Sequence, residues 1–199
     1  MLPHYFMYLA TLLTFAACGS YLFATLRGDA QPNRVSWLMW GLIAIITAFA
    51  QWLGNGGLST LVVLASAIGP LSVFIASFAN KKAYWKTGRM DIICGLFSAI
   101  GLVGWVITKN PSIAILFCIF ADLSATVPTY RKAWIDPGSE HLPNYILGAL
   151  SGIVAVASIP LPLTFNAAAY MTSIALSCCV ICLILIRGNL STVLRRIAP

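Results

Sequence analysis

PSIAILFCIFADLSATVPTY, residues 111–130, carries one charged residue, Asp122, in an otherwise largely apolar run. The hydrocarbon core of a bilayer is about 30 Å thick and takes about 20 residues of apolar helix to cross. The run therefore reads as a membrane-spanning helix with a carboxyl group close to its middle. Runs of the same kind lie at about 5–26, 35–53, 59–79, 91–108, 144–160 and 167–187. Between them stand segments of Arg, Lys, Gly, Pro and Asn. None of the runs alternates apolar with polar residues, as a membrane β-strand would. Helices are the expected form, because backbone facing lipid must satisfy its own hydrogen bonds.

Composition points the same way. The chain has 199 residues, 60% hydrophobic and 9% charged, with a mean hydropathy of +0.90. Soluble domains run near 25% charged, so a soluble enzyme, a disordered chain and a disulfide-stapled secreted module are all excluded. The net charge of +7 does not indicate nucleic acid, since the basic residues cap apolar runs and form no stripe with aromatics. Eleven of the twelve Lys and Arg fall on one side of a seven-span layout, and Lys109 alone on the other. Basic residues favour the cytoplasmic side. The N-terminus is thus expected outside and the C-terminus in the cytoplasm, as a multi-pass protein of the cell (plasma) membrane. Tyr5, Phe6, Trp52 and Trp105 suit one interfacial belt, and Trp37, Tyr84, Trp85 and Trp134 the other. The first apolar run is too long for the core of a secretory leader, so no cleavable leader is expected. The six cysteines all sit inside apolar runs, and helix packing is their expected role. Neither a metal nor any cofactor is expected.

An offset of 105 positions aligns the two ends of the chain. Arg27 falls on Lys132, Pro32 on Pro137, Trp40 on Tyr145 and Lys82 on Arg187. Helices 1–3 then overlay helices 5–7, and helix 4 resets the direction. This predicts an all-α membrane protein of seven transmembrane helices, two parallel three-helix bundles joined by an inverting linker helix (3+1+3). The parts are 1–80 for the first repeat, 81–109 for a basic loop and helix 4, 110–187 for the second repeat, and 188–199 for a cytoplasmic tail.

The stretch PTYRKAWIDPGSE, residues 128–140, resembles the second motif of PQ-loop proteins. In that family a Pro-Gln pair near the cytoplasmic end of a helix precedes basic residues and a short loop with Ser-Glu; Thr129 stands here in the place of Gln. The 3+1+3 plan is similar to that of SWEET transporters, a parallel-repeat architecture, and of KDEL receptors and cystinosin-type carriers. The resemblance implies a small-solute transporter working by alternating access. It equally allows a receptor or binding protein of the same fold that does not transport, with the loop carrying Asp136, Glu140 and His141 as its partner surface. Glu140, by the family pattern, caps helix 6 or holds a cytoplasmic gate.

Asp122 is the sharpest candidate. An ionised Asp at mid-bilayer costs roughly 2.5–3.5 kcal/mol on insertion scales. Water in a cavity, a proton, a bound cation or a hydrogen-bonding neighbour has to offset that cost. Asp122 could carry a proton, which would couple transport to a pH gradient, or contact a solute. It could also simply bond Ser124 or Thr126. Trp40 and Tyr145, at matching places, are expected either to stack on a solute or to anchor at the interface. The substrate contacts are expected at Asp122, Trp40, Tyr145 and Ser124. Pro70, mid-helix 3, and Pro128, in the last turn of helix 5, each remove a helical hydrogen bond and are candidate hinges, with Glu140 as the gate. Gln51 reads as an interfacial residue. Glycines at 148 and 152 read as helix-packing positions. An intramembrane enzyme is not expected, because only Asp122 lies deep in a span and no nucleophile–base pair accompanies it. The expected partners are a small-molecule solute and the lipid bilayer, with self-association left open.

Overall fold

The helix ends carry their own chemistry. Helix α1 (Phe6–Arg27) closes on Gly28, whose φ of 86° lets its N–H reach the carbonyls of Ala24 and Thr25, a left-handed ending that glycine adopts without strain. Asn33 precedes α2 (Arg34–Leu53), and its side-chain oxygen accepts from the N–H groups of Val35 and Ser36, donors that a first turn leaves bare. Helix α3 covers Ser59–Ala79 and α4 covers Arg89–Ile107. Asn110 caps α5 (Pro111–Ile135) as Asn33 caps α2, with Pro111 at the first position, where no N–H is needed. A single 3-10 turn at Pro137–Ser139 leads to α6 (Leu142–Ala157) and α7 (Phe165–Ile197). This computed structural model describes residues 2–79, 86–107 and 110–197.

The chain is an all-helical integral membrane protein. Among the described residues there are seven α-helices and no strand. Five of the helices, α1, α2, α3, α5 and α7 over Phe165–Gly188, are long and apolar enough to cross a membrane, and α6 is a shorter apolar helix. Leu12, Phe23, Ile75, Leu176 and Leu183 stand outward and well exposed, as side chains bathed in hydrocarbon do.

The packing forms a ring. Helix α3 touches both α1 and α2, and α7 touches both α5 and α6. The two sets meet where α1 packs on α6 and where α2 packs on α5. Helix α4 lies outside, mainly against α5. Its first turn is tied to the start of α2, because Asp91 accepts from Asn33 Nδ2 at 2.9 Å and from the Gly88 N–H at 2.5 Å. Lipid is as apolar as leucine, so helices in a membrane associate by close approach and by internal hydrogen bonds. Both occur here. A Cβ placed on Gly152 would lie 2.7 Å from the Ala175 Cβ and 3.0 Å from the Met171 carbonyl, so α6 and α7 are in near backbone contact. Thr14 and Ser151 hydroxyls lie 2.7 Å apart, and Ser151 donates to the Ala10 carbonyl at 2.7 Å, stitching α1 to α6.

Several expectations need correction. Helix α5 runs five residues past 130, so Pro128 is inside the helix and not in its last turn. Burial of Thr129, Lys132 and Ala133 keeps the last turns in place despite the missing proline N–H. Helix α7 continues to Ile197, so the segment expected as a tail from 188 is helical, while the part of α7 apolar enough to cross a membrane is Phe165–Gly188. Trp37, assigned to an interfacial belt, is 2% exposed and packs against Tyr21. Gln51, assigned to the interface, is fully buried. Tyr5, Trp52 and Trp134 do lie exposed. The expectations for Lys81, Lys82, Tyr84, Trp85 and Lys109, and for the Trp105 side chain, fall outside the described residues.

Candidate functional site

A cavity of about 110 Å³ lies within the ring. Every ring helix gives it a wall, through Thr14, Trp40, Pro70, Asp122, Tyr145 and Tyr170 among others, while none of the described lining residues belongs to α4. The walls bring together parts of the chain more than a hundred residues apart.

Asp122 is buried at 5% exposure. It is flanked on α5 by Ala121 and Ala125, residues small enough to let neighbouring helices come close. The Tyr170 hydroxyl donates to its Oδ1 at 3.2 Å. One turn on, Thr126 donates to the Asp122 backbone carbonyl at 2.7 Å and accepts from Trp40 Nε1 at 3.1 Å. That second bond holds an indole of α2 over the Asp122 turn of α5. The titratable side chains around Asp122 are Cys118 and Tyr130 of α5 and Tyr170 and Cys178 of α7. On α4, Asp91 is taken up by Asn33 and Gly88.

Aromatic rings line the side toward the basic end, where Arg27, Arg34 and Lys132 lie. Trp37 sits between Tyr21, with centroids 4.4 Å apart, and Trp40, at 5.2 Å and edge-on. Tyr145 meets Tyr21 edge-on at 6.4 Å. Below them Glu140 forms a buried centre. Tyr145 and Tyr21 both donate to its Oε2, at 2.7 and 2.9 Å, and Lys132 Nζ lies 2.7 Å from its Oε1. Lys132 also donates to the carbonyls of Gln31 and Ser139. These bonds link α1, the loop after it, α5, the 3-10 turn and α6.

Asp122, Trp40, Tyr145 and Pro70 are thus all on the cavity wall. Pro70 has no N–H, so the Ser66 carbonyl one turn back loses its helical partner, and Ser66 is also on the wall. Ser124 lies elsewhere: its hydroxyl donates to the Phe120 carbonyl of its own helix, and it does not line the cavity. Pro128 is buried in α5 but away from the wall. Glu140 caps nothing; the residue before α6 is His141, which makes no side-chain capping bond. Lys132, read as a mark of the cytoplasmic side, is a buried ion-pair partner at 1% exposure.

Sequence reading passed over Tyr21 and Tyr170, and placed Trp37 in an interfacial belt instead of on the cavity wall. Tyr170 lies 48 positions after Asp122, and no local pattern signals that pairing. Tyr21 is legible in hindsight, as it falls on Thr126 at the 105-residue offset.

No protein-family model matches the chain, and no curated protein or solved structure is significantly similar to it.

Proposed function

We propose that the protein is a small-solute membrane transporter that works by alternating access, with Asp122 as its proton-coupling group. The observation that carries this reading is a buried carboxylate on the wall of a cavity to which all six ring helices contribute and to which no described residue of α4 does. Transporters built from parallel repeats place their site where the two units meet. Here α1–α3 and α5–α7 are the two units of a 3+1+3 plan, with α4 the linker. The packing supports that division: the third helix touches the other two in each unit, and the contacts of α1 with α6 and of α2 with α5 exchange under a twofold relation. At the 105-residue offset Trp40 falls on Tyr145 and Asp122 on Ala17, and all four line the cavity.

In this reading the basic end is cytoplasmic, in the plasma membrane, and the Glu140–Lys132–Tyr21–Tyr145 centre is the closed gate on that side. Opening there separates Tyr21 of the first unit from Glu140 and Tyr145 of the second. Pro70 and Pro128 supply the bends about which α3 and α5 move. The receptor reading places a partner on the loop after α5. The burial of Glu140 removes one of the three side chains offered for that surface.

The test is flux into proteoliposomes across a panel of sugars, amino acids, vitamins and small amines, with and without a pH gradient. Saturable, gradient-dependent flux that disappears in Asp122→Asn is the expected result. Saturable binding without flux would instead make the protein a receptor.

A further inference from the structure

Resting on the transporter reading for its setting, the chemistry of the cavity names a class of solute. We infer that the cavity takes a small organic monocation, an alkylated ammonium, with Asp122 as its counter-ion and Trp40 as an aromatic face against it.

Charge comes first. Among the described lining residues Asp122 is the one carboxylate, and there is no Lys, Arg or His. Lys132, the cation of the described ion pair, is spent on Glu140. A carboxylate held away from water is balanced either by a proton or by a positive charge nearby, so a cation and the coupling proton compete for Asp122. The fold does not provide one on the wall, and a bound ammonium would. An anionic solute meets repulsion from the ionised carboxylate, and a neutral one leaves its balance to the proton alone.

Ring chemistry comes next. Trp37, Trp40, Tyr145 and Tyr170 are all on the wall. Indole and phenol faces attract ammonium groups, with tryptophan the strongest. The bond from Trp40 Nε1 to Thr126 fixes one indole beside the turn that carries Asp122. The carboxylate and the ring are therefore presented together before anything binds.

The hydroxyls on the wall argue against a polyol such as a sugar. A sugar needs many free donors and acceptors around it. Thr126 donates to Asp122's carbonyl, Ser66 to Val62's and Ser151 to Ala10's, and Thr14 is engaged with Ala10 and Ser151. These donors are already committed to backbone. Three polar groups remain on the wall, Asn144 and the buried, unpartnered Trp37 Nε1 and Ser177 Oγ, fewer than a polyol needs. The rest is largely aromatic and apolar surface around a single carboxylate, and the volume of about 110 Å³ suits a solute of only a few heavy atoms.

The experiment is equilibrium binding to the purified full-length protein in detergent, by calorimetry. Choline is compared with its uncharged carbon isostere 3,3-dimethyl-1-butanol, and tert-butylammonium with tert-butanol. The expected result is that each cation binds at least tenfold more tightly than its isostere. Asp122→Asn should remove that preference, and Trp40→Leu should reduce it several-fold. Equal binding of cation and isostere, no binding of either cation, or a preference that survives Asp122→Asn would overturn the inference. Because binding is read without flux, cation binding with no transport would sink the transporter reading and leave this one standing. Transport of a neutral solute without cation binding would do the reverse.

Discussion

Lys132 and Glu140 form an ion pair 2.7 Å across in which neither side chain meets solvent. Glu140 also receives two tyrosine hydroxyls, so its carboxylate is fully engaged. Removing one member of such a pair leaves the other buried and uncompensated, at a cost of about 3–5 kcal/mol, whereas replacing both by apolar residues is often close to neutral. Lys132→Met alone is expected to lower stability by that amount in detergent. Lys132→Met with Glu140→Met is expected to recover most of it. Thermal denaturation of the three proteins checks this, and equal losses in the single and double variants would count against it.

Gly152 sets the spacing of α6 and α7. Its missing Cβ would meet the Ala175 Cβ and the Met171 carbonyl at 2.7 and 3.0 Å. A backbone oxygen cannot swing away as a side chain can, so the helices must part. Overpacking of this kind costs about 1–3 kcal/mol. Gly152→Ala should lose stability on that scale. The same change at Gly57, where φ is 64° but nothing lies within 4 Å, would be destabilising through backbone conformation alone.

His141 predicts a pH effect outside the bundle. Burial holds its imidazole below the ordinary value of 6.5, with Asp29 and Glu140 pulling weakly the other way. The folded chain therefore resists a proton that the unfolded chain accepts. Stability is fully present above about pH 6.5 and falls as pH drops below it, levelling off beneath the folded value. The effect is small because the ring is partly exposed. His141→Gln should flatten this part of the profile, measured as the melting temperature between about pH 5 and pH 8. An unchanged slope would assign the effect to another group.

The helices themselves were legible. The runs read at 5–26 and 59–79 differ by about one residue or none from Phe6–Arg27 and Ser59–Ala79, because hydropathy reports directly which segments leave water. The inward-facing side of each helix was not. In a soluble protein the polar face reveals the buried one. In a membrane both faces are apolar, so nothing along the sequence distinguishes Trp37, which is buried, from Trp134, which is 56% exposed. Asp122, Trp40 and Tyr145, singled out by charge and by the 105-residue offset, line the cavity. The ion pair of Lys132 was not legible, because a basic residue at a helix end looks the same whether it meets water or a buried glutamate. Ser124 was misplaced because two positions along a helix turn a side chain by more than half a circle.

Asp122 stands where the matching position holds Ala17, and Trp40 where it holds Tyr145. In the two-unit plan proposed above, a scaffold doubled in outline encloses an interior with two unlike poles. Whatever enters such a chamber has one preferred way round, and mirror-image guests would not fare alike.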